Sequence, residues 1–203
     1  MYLAIEGIKG SGKSTIIGEI LGEDSRSELS SYRITASMGP HHPMEIAHEK
    51  YPWLKNNDEF LEKLFVHRAY WHMPGIKKKI VVGDRSVLTS YVSRWSKWGD
   101  PYYTMKKVER QYKHIMKPDV LIWLQSRSER ASKNIEGRIP KGIRKIDESI
   151  DRLITDRAIY EELICGNLYR RKVGKIQTVI VTNNGVIEDA KNEIKQIIKF
   201  YKK

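Results

Sequence analysis

Short apolar, β-branched runs alternate along the chain with longer stretches of helical periodicity. Residues 2–6, 32–36, 80–84, 120–124 and 178–182 read as strands. Apolar positions at helical spacing predict helices near 14–22, 57–72, 86–97, 102–116, 126–136, 148–170 and 186–201. The last of these is entered through the turn Asn183-Asn184-Gly185. Five short strands separated by helices predict an α/β fold with a five-stranded parallel sheet and helices on both faces. No repeat or linker divides the 203 residues, so a single domain over 1–203 is expected. In such sheets ligands bind outside the carboxyl ends of the strands, so the chemistry is expected just after each one.

The residues after the first strand carry the sharpest signal. Gly7-Ile8-Lys9-Gly10-Ser11-Gly12-Lys13-Ser14 fits G-x-x-x-x-G-K-[ST] at every required position, between a predicted strand and a predicted helix. Glycines at 7, 10 and 12 let the backbone turn tightly so that successive N–H groups, with those of Ser11 and Thr15, converge on phosphate oxygens. The positive end of the following helix favours the same anion. Lys13 is placed to reach the β- and γ-phosphates of ATP, and the Ser14 hydroxyl to ligate Mg²⁺. The pattern therefore predicts a P-loop NTPase. The strand at 80–84 ends in Asp84-Arg85. An acid at a neighbouring strand tip suits a Mg²⁺ ligand or a base for an acceptor hydroxyl, although it also suits a helix cap. Arg85 beside it is placed to clamp an acceptor phosphate.

Charge and composition add to this picture. The formal net charge of +12 favours polyanionic partners, yet a Lys-rich solvated surface explains it equally well. The segment 136–149, EGRIPKGIRKIDES, joins glycines, a proline and basic residues without apolar period, as expected of a basic lid over phosphates or of a plain surface loop. A single cysteine, Cys165, excludes an intramolecular disulfide and fits a cytoplasmic setting. No stretch approaches the roughly 20 apolar residues of a membrane span, so no membrane partner is expected.

Together these motifs resemble the thymidylate kinase family and its deoxynucleoside kinase relatives. Ile5-Glu6-Gly7 through Ser14-Thr15, Leu64-Phe65-Val66-His67-Arg68-Ala69, Asp84-Arg85-Ser86, Lys117-Pro118-Asp119 through Leu124, and Ala131 through Arg138 carry the likeness. Asn184-Gly185 to Ile198 resembles the closing strand-loop-helix. The resemblance implies an ATP- and Mg²⁺-dependent kinase acting on a nucleoside monophosphate or a nucleoside. It implies that Arg68 addresses the acceptor base and that Phe65 stacks on it, although core packing suits Phe65 equally. Arg138, Lys141 and Arg144 in the lid would neutralise charge on the transferred group, and a homodimer is implied by resemblance alone.

Three departures qualify the likeness. Lys9 stands where the family has an acid, and suits an additional acceptor phosphate. The loop Thr35-Ala36-Ser37-Met38-Gly39-Pro40-His41-His42-Pro43 replaces the family's R-E-P-G. The tyrosine-glutamine pair after Asp-Arg is unmatched, Ser90-Tyr91 being nearest, which leaves Tyr91 as an acceptor-side candidate. Aromatic and basic residues interleave from Trp71 to Tyr103. That pattern suits a single-stranded nucleic-acid groove, although an amphipathic helix packing Tyr91, Trp95 and Trp98 explains it better. The alternative acceptor is therefore a modified pyrimidine within DNA, as for family relatives that phosphorylate 5-hydroxymethyluracil in virus DNA.

Overall fold

The computed structural model describes residues 1–23, 29–73, 80–137, 148–166 and 176–202. Five strands, β1 (Tyr2–Glu6), β2 (Leu29–Arg33), β3 (Ile80–Asp84), β4 (Val120–Gln125) and β5 (Gln177–Thr182), form one sheet. Its order is β2-β3-β1-β4-β5 and every pairing is parallel. Eight α-helices are described: α1 (Lys13–Glu23), α2 (Pro43–Lys50), α3 (Asp58–His72), α4 (Val87–Trp98), α5 (Pro101–Gln111), α6 (Ser128–Glu136), α7 (Ile150–Ile164) and α8 (Ile187–Lys202). No described helix is long and apolar enough to cross a membrane.

The strands are apolar on both sides because both sides are covered. Leu3, Ile5, Val82, Ile122 and Leu124 pack against Ile16, Ile17 and Ile20 of α1 and Ala190, Ile194 and Ile198 of α8. Tyr2, Ala4, Val81, Leu121 and Trp123 point the other way, into a cluster with residues of α3, α4, α5, α6 and α7. The period of two along each strand thus divides one apolar run between two cores. Chain order reverses on either side of β1, which opens a crevice at the carboxyl ends of β1, β3 and β4.

Several element limits differ from the sequence expectation, each for a local reason. The second strand lies at Leu29–Arg33, not 32–36, because its register with Ile80–Asp84 seats Tyr32 beside Gly83. There the Tyr32 hydroxyl donates to the Ala69 carbonyl at 2.9 Å. Helix α2 and a 3₁₀ turn at Pro52–Asn56 occupy a stretch with no expected element, each opened by a proline in its first turn. Helix α5 stops at Gln111, short of 116, and α7 stops at Ile164, short of 170. Helices α4 and α5 are parted by Gly99, left-handed at φ 71°, and by Asp100, whose carboxylate caps the Tyr103 N–H.

Candidate functional site

The loop between β1 and α1 is held from outside by two asparagines. Asn134 Nδ2 donates to the Gly10 carbonyl at 2.9 Å, and Asn183 Nδ2 to the Ser11 carbonyl at 2.7 Å. Gly7, Gly10 and Gly12 all take positive φ, at 151°, 78° and 95°. At Gly10 a Cβ would stand 2.3 Å from the Ala131 carbonyl oxygen, so the tight approach to α6 admits only glycine there. Ser11 is fully buried and Thr15 exposed. Lys13, 4% exposed, donates to the carbonyls of Gly7 at 2.8 Å and Ile8 at 2.7 Å and to Ser11 Oγ at 3.1 Å. An ammonium encircled by loop oxygens is a cation fixed at the mouth of the crevice.

Strand β3 lies beside β1 and delivers Asp84 to the same mouth. Ser14 Oγ donates to Asp84 Oδ2 at 3.1 Å, so the two residues expected to act together do meet. Arg85 follows with φ 75°, the one non-glycine residue in the left-handed region among the described residues. Such strain persists only where surroundings impose it. Here the Tyr2 hydroxyl binds the Arg85 carbonyl at 2.9 Å, and the Arg85 Nη1 donates to Thr89 Oγ1 at 3.1 Å.

Behind this pair sits Glu6, the last residue of β1, with no exposed surface. Its carboxylate accepts from Ser86 N at 2.6 Å, Ser86 Oγ at 2.7 Å, Thr89 Oγ1 at 2.7 Å and the Tyr160 hydroxyl at 2.9 Å. Four donors satisfy a charge that burial would otherwise make prohibitive. Burial, reinforced by the Glu6 charge, pushes the Tyr160 hydroxyl well above its ordinary value, so it remains a donor. Burial opposes the Arg85 cation, but Tyr160, Glu6, Asp84 and Asp156 around it outweigh that cost and raise its pKa.

The region to which the sequence assigned an acceptor is built differently. A hollow of about 70 Å³ is lined by Ile34, Thr35, Phe65, Thr89, Arg94 and Tyr112, among others. A second, of about 130 Å³, adjoins it and shares Phe65, Ser93 and Arg94. Phe65 is 36% exposed at their common rim. Arg68 lines neither: its Nε and Nη2 grip the two oxygens of Glu45 at 2.7 and 2.6 Å. Glu45, 4% exposed, also accepts from Met38 N at 3.0 Å and so ties the loop after β2 to α3. The Arg68 hydrogen bonds hold the Glu45 pKa down at about 2, against burial.

Other sequence candidates fall elsewhere. Tyr91 is 2% exposed within the core cluster and lines neither hollow. Lys9 pairs with Glu148 at 3.0 Å, just before α7. Arg138, Lys141 and Arg144, the inner part of the expected lid at 136–149, lie outside the described residues. The sequence reading gave no role to Glu6, Thr89, Tyr160, Asn134, Asn183 or Glu45. Glu6 carried a usable signal, since it is an acid ending an apolar strand just as Asp84 is. Asn183 was read only as part of a turn. No protein-family model matches the chain, and comparison with curated proteins gives no significant match.

Proposed function

We propose that the chain is a P-loop enzyme that transfers the γ-phosphate of ATP to a nucleoside monophosphate. The observation that carries this reading is the hydrogen bond from Ser14, next to Lys13 in the loop after β1, to Asp84 at the tip of β3, with Arg85 following it. Lys13 exchanges its loop carbonyls for β- and γ-phosphate oxygens, while the loop N–H groups and the start of α1 hold the rest of the triphosphate. A hydroxyl and a carboxylate oxygen 3.1 Å apart fit Mg²⁺, which prefers hard oxygen ligands. When bound there, the ion would neutralise charge on the phosphate oxygens.

Arg85 faces the acceptor phosphate. An acceptor phosphate oxygen forms the new bond to the γ-phosphorus as the bond to the bridging β–γ oxygen breaks, leaving ADP. That oxygen is already deprotonated at neutral pH, so no base is required. With a nucleoside acceptor, the hydroxyl proton would pass to Asp84. Glu6, satisfied by four donors, acts from behind by fixing Ser86, Thr89 and Tyr160, and through Thr89 the Arg85 side chain.

A second reading places the acceptor in a DNA strand. It is favoured by Tyr102 and Tyr103, 71% and 53% exposed on α5, with Lys107 over the rings of Tyr103 and Trp98. Such rings stack on bases without regard to sequence. Incubation with γ-labelled ATP, Mg²⁺, free monophosphates, nucleosides and DNA decides between these. Label on a monophosphate supports the first reading, label only on DNA the second, and no transfer to any acceptor overturns both.

A further inference from the structure

Arg68, the residue the sequence assigns to the acceptor base, is occupied by Glu45, and the two hollows hold another arginine. Arg94 is 8% exposed, lines both, and stands on α4 five residues beyond Thr89, the residue that fixes Arg85. Five residues of helix rise about 7.5 Å, and both Thr89 and Arg94 line the smaller hollow.

Its surroundings are those of a fixed donor. Nη1 donates to Gln111 Oε1. Gln111 cannot turn over, because its Nε2 donates at 2.9 Å to Glu62 Oε2, which accepts only, while Lys107 holds Glu62 Oε1 at 3.0 Å. The rings of Trp98 and Tyr112 lie 5.8 and 5.5 Å from the guanidinium carbon. Among the described residues no carboxylate pairs with Arg94 directly; Glu62 reaches it only through the Gln111 amide. A guanidinium carries five N–H donors and no acceptor, Gln111 takes one of them, and the residue lines both hollows. The remaining donors therefore suit a ligand, and the apolar walls of Ile34, Phe65 and Tyr112 suit a flat ring.

We propose that Arg94 is the specificity-determining residue for the acceptor base, and that it selects a base with an oxo group at the pyrimidine 4-position or the purine 6-position, as thymine, uracil and guanine have. An amino edge, as in adenine or at the 4-position of cytosine, brings donors to donors. This inference rests on the acceptor side of the proposed kinase lying in these hollows, but not on transfer occurring.

Binding of free monophosphates without ATP is read by quenching of tryptophan fluorescence, to which Trp98 beside Arg94 contributes. Wild type is expected to hold the thymine, uracil and guanine monophosphates roughly ten- to hundredfold tighter than those of adenine and cytosine. In Arg94→Gln, whose amide offers both a donor and an acceptor, the preference shrinks to within about threefold. Arg94→Lys, which keeps the charge but loses the planar fork, retains the direction of preference at reduced size. Melting by circular dichroism identifies a variant that fails to fold, in which case the wild-type ranking decides. Equal or reversed ranking in wild type, no monophosphate binding, or an unchanged preference in folded Arg94→Gln overturns the proposal. Selective binding without any phosphate transfer would remove the kinase reading and leave this one standing; transfer without base preference would do the opposite.

Discussion

The two halves of the site are built on opposite plans. One half is a run of consecutive residues, Gly7 to Ser14, closed on itself by Lys13 and braced from outside by two asparagine side chains. The other is gathered from the loop after β2 and from α3, α4 and α5, spanning Ile34 to Tyr112 around the hollows. Beside the hollows side chains are held in pairs and relays, Glu45 with Arg68 and Glu62 with Lys107 and Gln111. A half made of backbone tolerates little change anywhere. A half made of side-chain pairs changes with a single substitution.

The largest effect is expected from removing Lys13. Lys13→Ala is expected to lower transfer by about a thousandfold, since one fixed electrostatic donor to a transferring group commonly accounts for that much. Steady-state assays beside wild type check it, with melting to show that the fold survives.

Next in size is Glu45→Ala, which leaves the Arg68 guanidinium without its carboxylate in a site 14% exposed. A loss of about 3 kcal/mol of stability is expected by urea unfolding. The same pair sets a pH dependence. The folded Glu45 pKa lies at about 2 against an ordinary 4.5, so its contribution is complete above about pH 4.5 and fades as pH falls toward 2. The stability difference between wild type and Glu45→Ala should therefore narrow over that window.

Tyr160→Phe tests the buried network between the halves. It deletes one of four donors to Glu6, with an expected cost of about 1 kcal/mol in unfolding. If the network positions Arg85, the acceptor KM rises more than the ATP KM. Smallest is Lys9→Ala, which removes a pair to Glu148 that is partly open to solvent. Its effect on melting should stay below about 1 kcal/mol and shrink further in salt.

The sequence made these halves unequally legible for a physical reason. A loop closed on itself draws its residues from one short run, so Gly7, Gly12, Lys13 and Ser14 stand out together, and Asp84 follows as the acid closing an apolar strand. The parallel α/β architecture was equally readable, because strands buried on both faces must be apolar throughout. The edge strand was not. Leu29, Ser30 and Ser31 lack the apolar run of an inner strand, and only pairing with Ile80–Val82 places them. Nor does a sequence say which arginine a distant acid will capture. Arg68 and Arg94 look alike on paper; Glu45, reaching across from α2, makes one structural and leaves the other at the hollows. Tyr91 was a candidate only by its place after Asp84-Arg85, whereas the helical period that favoured its packing is the one that takes it into the core.

The proposed function requires the loop after β1 and the hollows to act on one phosphate. The most direct measurement is ADP formation from ATP and Mg²⁺ by wild type and Lys13→Ala, with and without a nucleoside monophosphate. Acceptor-dependent ADP formation by wild type, lost in Lys13→Ala, is the expected result. ADP formation that ignores the acceptor, or that persists undiminished without Lys13, would contradict it.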